Sequence, residues 1–231
     1  KNGEKCDSHR SHIKILKQGQ CGAVNAAIAT VSTPWVLVTN DDMIYPPGWF
    51  EKLTWVVERN GEYEKCVSPQ LIEPRTGAST FEVFNCGGAG GDFDKQKFLT
   101  YLDNFQGAEM FRNGFNLPFL IKKELWDLIG GYDINYDPWG SNGDSDLEYK
   151  IKLAGVQPKQ NTECKVYHFS QTSGTFHPDN RKHWQWNWDY FIEKWGFPRT
   201  DVVIWEATFE IPKPPIRKFT PWWENFYGNK S

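Results

Sequence analysis

The chain has 231 residues, 39% of them hydrophobic, enough to bury the core of one large domain or of one domain with an appendage. A formal net charge of −3 and the lack of a lysine- or arginine-rich block argue against nucleic acid or an anionic membrane as partner. No run approaches the roughly 18 apolar residues of a membrane span, the polar opening KNGEKCDSHRSH is not a signal peptide, and five scattered cysteines without a CxxC pair read as free thiols of a reducing compartment, which implies a cytoplasmic protein, at most peripheral to a membrane.

In chain order, HIKILKQ (12–18) alternates like a strand. GQCGAVNAAIATVS (19–32) carries a helical stripe of Ala23, Ala27 and Val31 beside Val24 and Ile28, limited by Pro34. WVLVT (35–39) is too apolar for a one-sided strand, so it predicts a strand covered on both faces. PGWFEKLTWVVERNG (47–61) opens with proline, carries an apolar face and stops at glycine, as a helix does. EKCVSPQL (64–71) predicts the next strand. Strands alternating with helices imply an α/β fold, a mostly parallel sheet flanked by helices.

NCGGAGGDFD (85–94) must be a loop, either a lid over a ligand or a surface connection, and it matches neither dinucleotide nor P-loop spacings. NLPFLIKKELWDLIGGYD (116–133) reads as a strand, a short helix and a stop at Gly130-Gly131. SDLEYKIKLAG (145–155) predicts a helix with Leu147, Ile151 and Ala154 on one face; ECKVYHF (163–169) predicts a strand ending at His168. NRKHWQWNWDYFIEKWG (180–196) is an aromatic helix, and residues 212–231, with four prolines, predict extended chain over a surface. The expected division is a core over 1–178 and an aromatic C-terminal segment over 179–231. Seven of the chain's twelve tryptophans fall from Trp184 onward. They either pack the last helix on the sheet or form an acceptor platform or a partner surface.

Asn40-Asp41-Asp42 follows the 35–39 strand directly. Adjacent like charges cannot enter a core, so they are hydrated at a turn or neutralised by a cation. Ligands of open α/β sheets sit beyond the carboxyl ends of strands, and these oxygens suit Mg²⁺ or Mn²⁺. A solvated turn before Pro46-Pro47 is the plainer alternative. Asp144 and Asp146 open the 145–155 helix. Capping explains Asp146: Ser145 and Glu148 have capping-box spacing, and Asp146 and Lys150 are an i,i+4 pair. It explains Asp144 less well, because Asp144 precedes the cap in a glycine-flanked loop that also holds Trp139. An indole beside a carboxylate can hold a sugar. His168 is either hydrogen-bonded structure or the completion of a site begun by Asp42.

The segments GQCGAVNAAIATVSTPWVLVTNDDMIYPPGWFEKL, FLIKKELWDLIGGYDINYDPWGSNGDSDLEYKIKLAG and VYHF follow one another as in nucleotide-sugar glycosyltransferases. From about residue 12 to 195 the chain resembles glycosyltransferase family 2, inverting enzymes of the GT-A fold. The resemblance implies a metal-dependent transferase with Mn²⁺ or Mg²⁺ as cofactor and a nucleotide-sugar donor. A glycan, lipid-linked or protein acceptor would fit, as in polysaccharide biosynthesis. The family's DxD motif falls on Asn40-Asp41-Asp42, with Asp42 the implied metal ligand and Asn25, Asn40 and Asp41 on the donor side. The family's base motif falls on Gly143-Asp144, keeping the aspartate and implying Asp144 as catalytic base. Trp139 and Asp146 fall on the acceptor side, and His168 matches a histidine that joins the metal. Two base-binding strands of such enzymes should precede residue 12 and have no room here, so the sequence looks like a fragment.

Three rivals remain at the level of sequence. A glycoside hydrolase would pair Asp144 with Asp146 or Asp42. A nucleotidyltransferase would also bind nucleotide and metal beside a parallel sheet. A non-catalytic carbohydrate-binding or assembly module would explain Asn40, Gly143 and the aromatic end.

Overall fold

The computed structural model describes residues 19–59, 65–74, 82–89, 91–105, 111–138, 140–170 and 178–199. The strand expected over 12–18, Trp139 and the proline-rich tail lie outside the described residues. Small residues allow α1 (Gln20–Ala29) to sink Cys21, Gly22, Asn25 and Ile28 into the core. Its N-cap is Gly19, which has no side chain to offer the first amides. Asp137, far along the chain, fills that role: its carboxylate accepts from the Cys21 N–H at 2.7 Å and the Gly22 N–H at 3.0 Å.

β1 (Trp35–Val38) is covered on both faces, as its unbroken apolar run requires. Val36 and Val38 enter the main core, while Trp35 and Leu37 pack on a second cluster of Leu53, Val67, Leu120 and Cys164. β2 (Met43–Ile44) and α2 (Trp49–Arg59) follow, then β3 (Cys66–Glu73), buried along its whole length. β4 (Glu82–Val83) is short. α3 (Lys95–Asn104), which the sequence pattern did not announce, is capped by Asp94 accepting from the Lys97 N–H at 2.9 Å. β5 (Phe111–Asn113), β6 (Phe119–Lys122) and α4 (Lys123–Ile129) come next, and α4 ends at the left-handed Gly130. α5 (Gly143–Leu153), β7 (Lys159–His168) and α6 (Arg181–Trp195) complete the order. Among the described residues no helix is long and apolar enough to cross a membrane.

The sheet has the order β1-β6-β3-β7-β2, with β4 beside β3 and β5 beside β7. The α/β architecture is the one expected, but the sheet is mixed rather than mostly parallel. β6 runs antiparallel to both of its neighbours, β1 and β3, and β2 and β5 run antiparallel to β7. The apolar run of β6 reads the same in either direction, so the sequence pattern does not disclose this. The consequence for function is simple. β1 and β3 share a direction because both oppose β6, and β3 and β7 are parallel. Their three C-terminal ends therefore open at one edge of the sheet. α5 leads into β7, and its first residue lies beside α1: a Cβ on Gly143 would stand 3.4 Å from Cys21 Sγ.

α6 is tied to α5 by buried charge. Asp146 is fully buried and accepts from Lys194 Nζ at 2.6 Å and Trp195 Nε1 at 2.7 Å, with Lys150 Nζ 3.5 Å away. Lys194 also reaches Asp133 at 2.7 Å. Burial disfavours the Lys194 charge, but Asp146 and Asp133 outweigh it and hold the ammonium above its ordinary range. Phe191 and Trp195 are buried, so this part of the aromatic helix is packing. Trp186 is 51% exposed and stacks on Tyr190. Removing Asp146 leaves two cations without their shared partner. Asp146→Ala should therefore lower stability by about 3 kcal/mol in urea unfolding; a change within about 0.5 kcal/mol, the scale of a surface substitution, would contradict this role.

Candidate active site

The Asn40-Asp41-Asp42 turn lies between β1 and β2, and β2 pairs Met43 with His168. That register sets Asp42 beside the end of β7: the Phe169 N–H donates to the Asp42 carbonyl at 3.0 Å. Asp42 Oδ2 stands 3.3 Å from His168 Nε2. On the other side of the ring, His168 Nδ1 lies 2.6 Å from Glu73 Oε1, at the end of β3. Three strand ends thus contribute one side chain each. Burial pulls the imidazole pKa down, but the hydrogen bonds to Asp42 and Glu73 overcome this and push it up to about 9. Asp41 is exposed and Asn40 half-buried in the same turn.

Two ligands at about 2.1 Å on adjacent positions of an octahedral ion stand roughly 3 Å apart. The 3.3 Å between Asp42 Oδ2 and His168 Nε2 fits that spacing. Glu73 engages the remote nitrogen, as carboxylates do behind metal-bound histidines, and an ion on Nε2 would take the place of the proton that Nε2 now shares with Asp42. Among the described residues no group of three or more His, Cys, Asp or Glu side chains forms a metal cage. The pair therefore suits an open site for an ion such as Mg²⁺ or Mn²⁺, which would take further ligands from beyond these two side chains, and not a closed structural site.

Asp144 belongs to a second group. α5 begins at Gly143, with Asn142 before it at φ 67°, so the Ser145–Glu148 capping box is not formed; Glu148 pairs with Lys152 at 2.7 Å instead. This start leaves Asp144 in the first turn, half-buried, where Tyr132 Oη donates to its Oδ1 at 2.7 Å. Burial raises the Asp144 pKa above the usual carboxylate range, and Tyr132 and Arg199 partly oppose it. Tyr132 is itself fixed by Asn25, whose amide donates to the Tyr132 carbonyl at 2.7 Å and accepts from its N–H at 2.9 Å. Gly131, at φ +64°, permits this approach: a Cβ there would lie 2.5 Å from Asn25 Oδ1 and 2.9 Å from the Trp126 ring.

Two sequence-based assignments need correction. Asn25 is fully buried with both ends of its amide on the Tyr132 backbone, so it supports Asp144 from beneath and does not face a donor. Asp146 is fully buried among Lys194, Trp195 and Lys150, so it is not open to an acceptor. Asp42 and His168 are brought into contact, and Trp139 lies outside the described residues. Sequence reasoning missed Glu73, Tyr132 and Arg199. For Glu73 the signal was present: an acid at the end of an apolar strand, the same placement that drew attention to Asp42. Tyr132 and Arg199 carried no comparable signal.

A family model described as "Glycosyl transferase family 2" matches residues 4–116. No curated relative matches the chain in sequence. Among solved structures, the chain resembles "Crystal structure of GalNAc-T7 with UDP, GalNAc and Mn2+", with a TM-score of 0.50 and 15% identity over 81% of this chain and 36% of that one. The chain thus spans about a third of that protein's chain, and the likeness is one of fold. Residues 4–116, just under half of the chain, thus match the glycosyl transferase family 2 model, and the chain carries the GT-A glycosyltransferase fold.

Proposed function

We propose that the chain transfers a sugar from a nucleotide-sugar donor to an acceptor hydroxyl with inversion at the anomeric carbon. What supports this reading is the Asp42–His168–Glu73 group, assembled from the β1–β2 turn and the ends of β3 and β7, together with a half-buried Asp144 held by a phenol in the first turn of α5. Asp42 and His168 would hold a divalent cation. When bound, that ion supplies positive charge to the leaving nucleoside diphosphate. Asn40 and Asp41 contact the donor from the exposed side of the turn. Asp144 Oδ1 is engaged by Tyr132, which leaves Oδ2 to accept the proton of the acceptor hydroxyl as its oxygen attacks. The attacking oxygen enters opposite the departing phosphate and no enzyme-bound sugar forms, so the configuration inverts. Trp139 follows the Asp137-Pro138 segment, whose carboxylate is anchored on α1, and is proposed as an acceptor-side ring.

A donor screen tests the reading. Thermal shift with UDP-, GDP-, dTDP- and CMP-sugars should show stabilisation by one nucleotide class and only with Mn²⁺ or Mg²⁺ present. Stabilisation by none of them, or equal stabilisation without metal, would contradict it. Glu73→Gln should weaken Mn²⁺ binding roughly 10- to 100-fold in a titration, because the imidazole loses the carboxylate that orients it; unchanged affinity would remove Glu73 from the site. Asp144→Asn should keep donor stabilisation but lose roughly 10²- to 10⁴-fold in turnover. In the unaltered chain kcat/KM should fall on the acid side as Asp144 takes up a proton. Because burial raises that carboxyl, the fall should be centred above the ordinary aspartate value of about 3.9.

A further inference from the structure

The geometry points to Tyr132 as the positioning residue of the site: a phenol held rigid on its backbone that fixes one oxygen of Asp144 and presents the other to the acceptor. This rests on the reading of Asp144 as the base. The ring is buried at 3% exposure and packs edge-on against Trp126, with centroids 5.6 Å apart. Asn25 holds the peptide on both sides, and the Gly130-Gly131 turn fixes where the residue begins. The hydroxyl therefore has little room to move, and among the described residues it donates to Asp144 Oδ1 at 2.7 Å.

A fixed donor does two things for a carboxylate base. It selects the rotamer, so the lone pair of Oδ2 is already aimed when the acceptor arrives. It also stabilises the charged form, offsetting part of the burial that would otherwise keep Asp144 protonated. Tyr132 can only donate here, because burial and then the adjacent Asp144 hold its own ionisation well above the usual tyrosine range. Cys21 from α1, Glu148 one turn along α5, and Arg199 beyond α6 are the other titratable or charged groups whose fields couple to Asp144. Cys21 is held in its neutral form by burial, so Arg199 is the attractive charge and Glu148 the repulsive one. Among the described residues, the hydrogen bond that orients the carboxylate comes from Tyr132.

The test is Tyr132→Phe, which keeps the ring and removes the hydroxyl. Turnover is read as the nucleotide released with Mn²⁺, a nucleoside diphosphate from UDP-, GDP- and dTDP-sugars and CMP from CMP-sugars, beside a carbon-13 titration of the Asp144 carboxyl. The variant should lose roughly 10-fold in kcat with KM for the donor unchanged, and both the acid limb and the carboxyl titration should move up by about one pH unit. If Tyr132→Phe does not fold, 3-fluorotyrosine at position 132 retains the hydroxyl and strengthens it as a donor. The acid limb and the titration should then move down. Turnover lost in Asp144→Asn but unaltered in rate and pH profile by either change at Tyr132 overturns the role of Tyr132 alone. Turnover that survives Asp144→Asn, or no turnover of any donor by the unaltered chain, overturns the base reading and this inference with it.

Discussion

A histidine held between two carboxylates is the interaction on which the site depends. His168 can sit between Asp42 and Glu73 only because β1, β3 and β7 end at the same edge of the sheet. Each strand brings apolar residues through the core and changes to a polar side chain where the pleat leaves it. The antiparallel pairing of Met43 with His168 then sets the distance across the last gap. Without that pairing, adjacent charges at Asp41 and Asp42 would be an ordinary hydrated turn. With it, one of them faces an imidazole whose other nitrogen is already committed.

The start of α5 shows how two carboxylates two residues apart come to differ. Asp144 is half-buried, with one oxygen on a phenol. Asp146 points inward and bonds to the ammonium of Lys194 and the indole of Trp195. Only Asp144 keeps any opening to solvent. The buried cluster around Asp146 still serves the site, because it locks α6 against α5 and so holds the helix turn that carries Asp144. The same economy appears in α1, where Asp137 caps the helix while fixing the segment that leads into residue 139.

Much of this was legible in the sequence, and the reasons for the rest are physical. Strands announced themselves by apolar runs, and an abrupt switch to Asn-Asp-Asp or to histidine marked where they leave the core. Local patterns also placed the Gly130 stop and the helix after Gly143. Partnerships across the chain could not be read. Asp146 looked like a capping acid paired with Lys150 because Lys194 and Trp195 lie 48 and 49 residues away. Asn25 was put on the donor side by the family resemblance, and nothing local says that both ends of its amide go to Tyr132. Glu73 was passed over because its strand was ended at Leu71, two residues short of the observed end. The direction of β6 was hidden for a related reason: apolar residues cover a sheet equally well in either orientation.

Anomalous diffraction at the manganese edge, from crystals grown with Mn²⁺ and the nucleotide of the stabilising donor, tests the convergence of these groups most directly. The expected result is a single strong peak about 2.1–2.3 Å from both Asp42 Oδ2 and His168 Nε2, with Asp144 facing the space beyond the terminal phosphate. A peak bound elsewhere on the chain, or a nucleotide seated away from the ends of β1, β3 and β7, would contradict it.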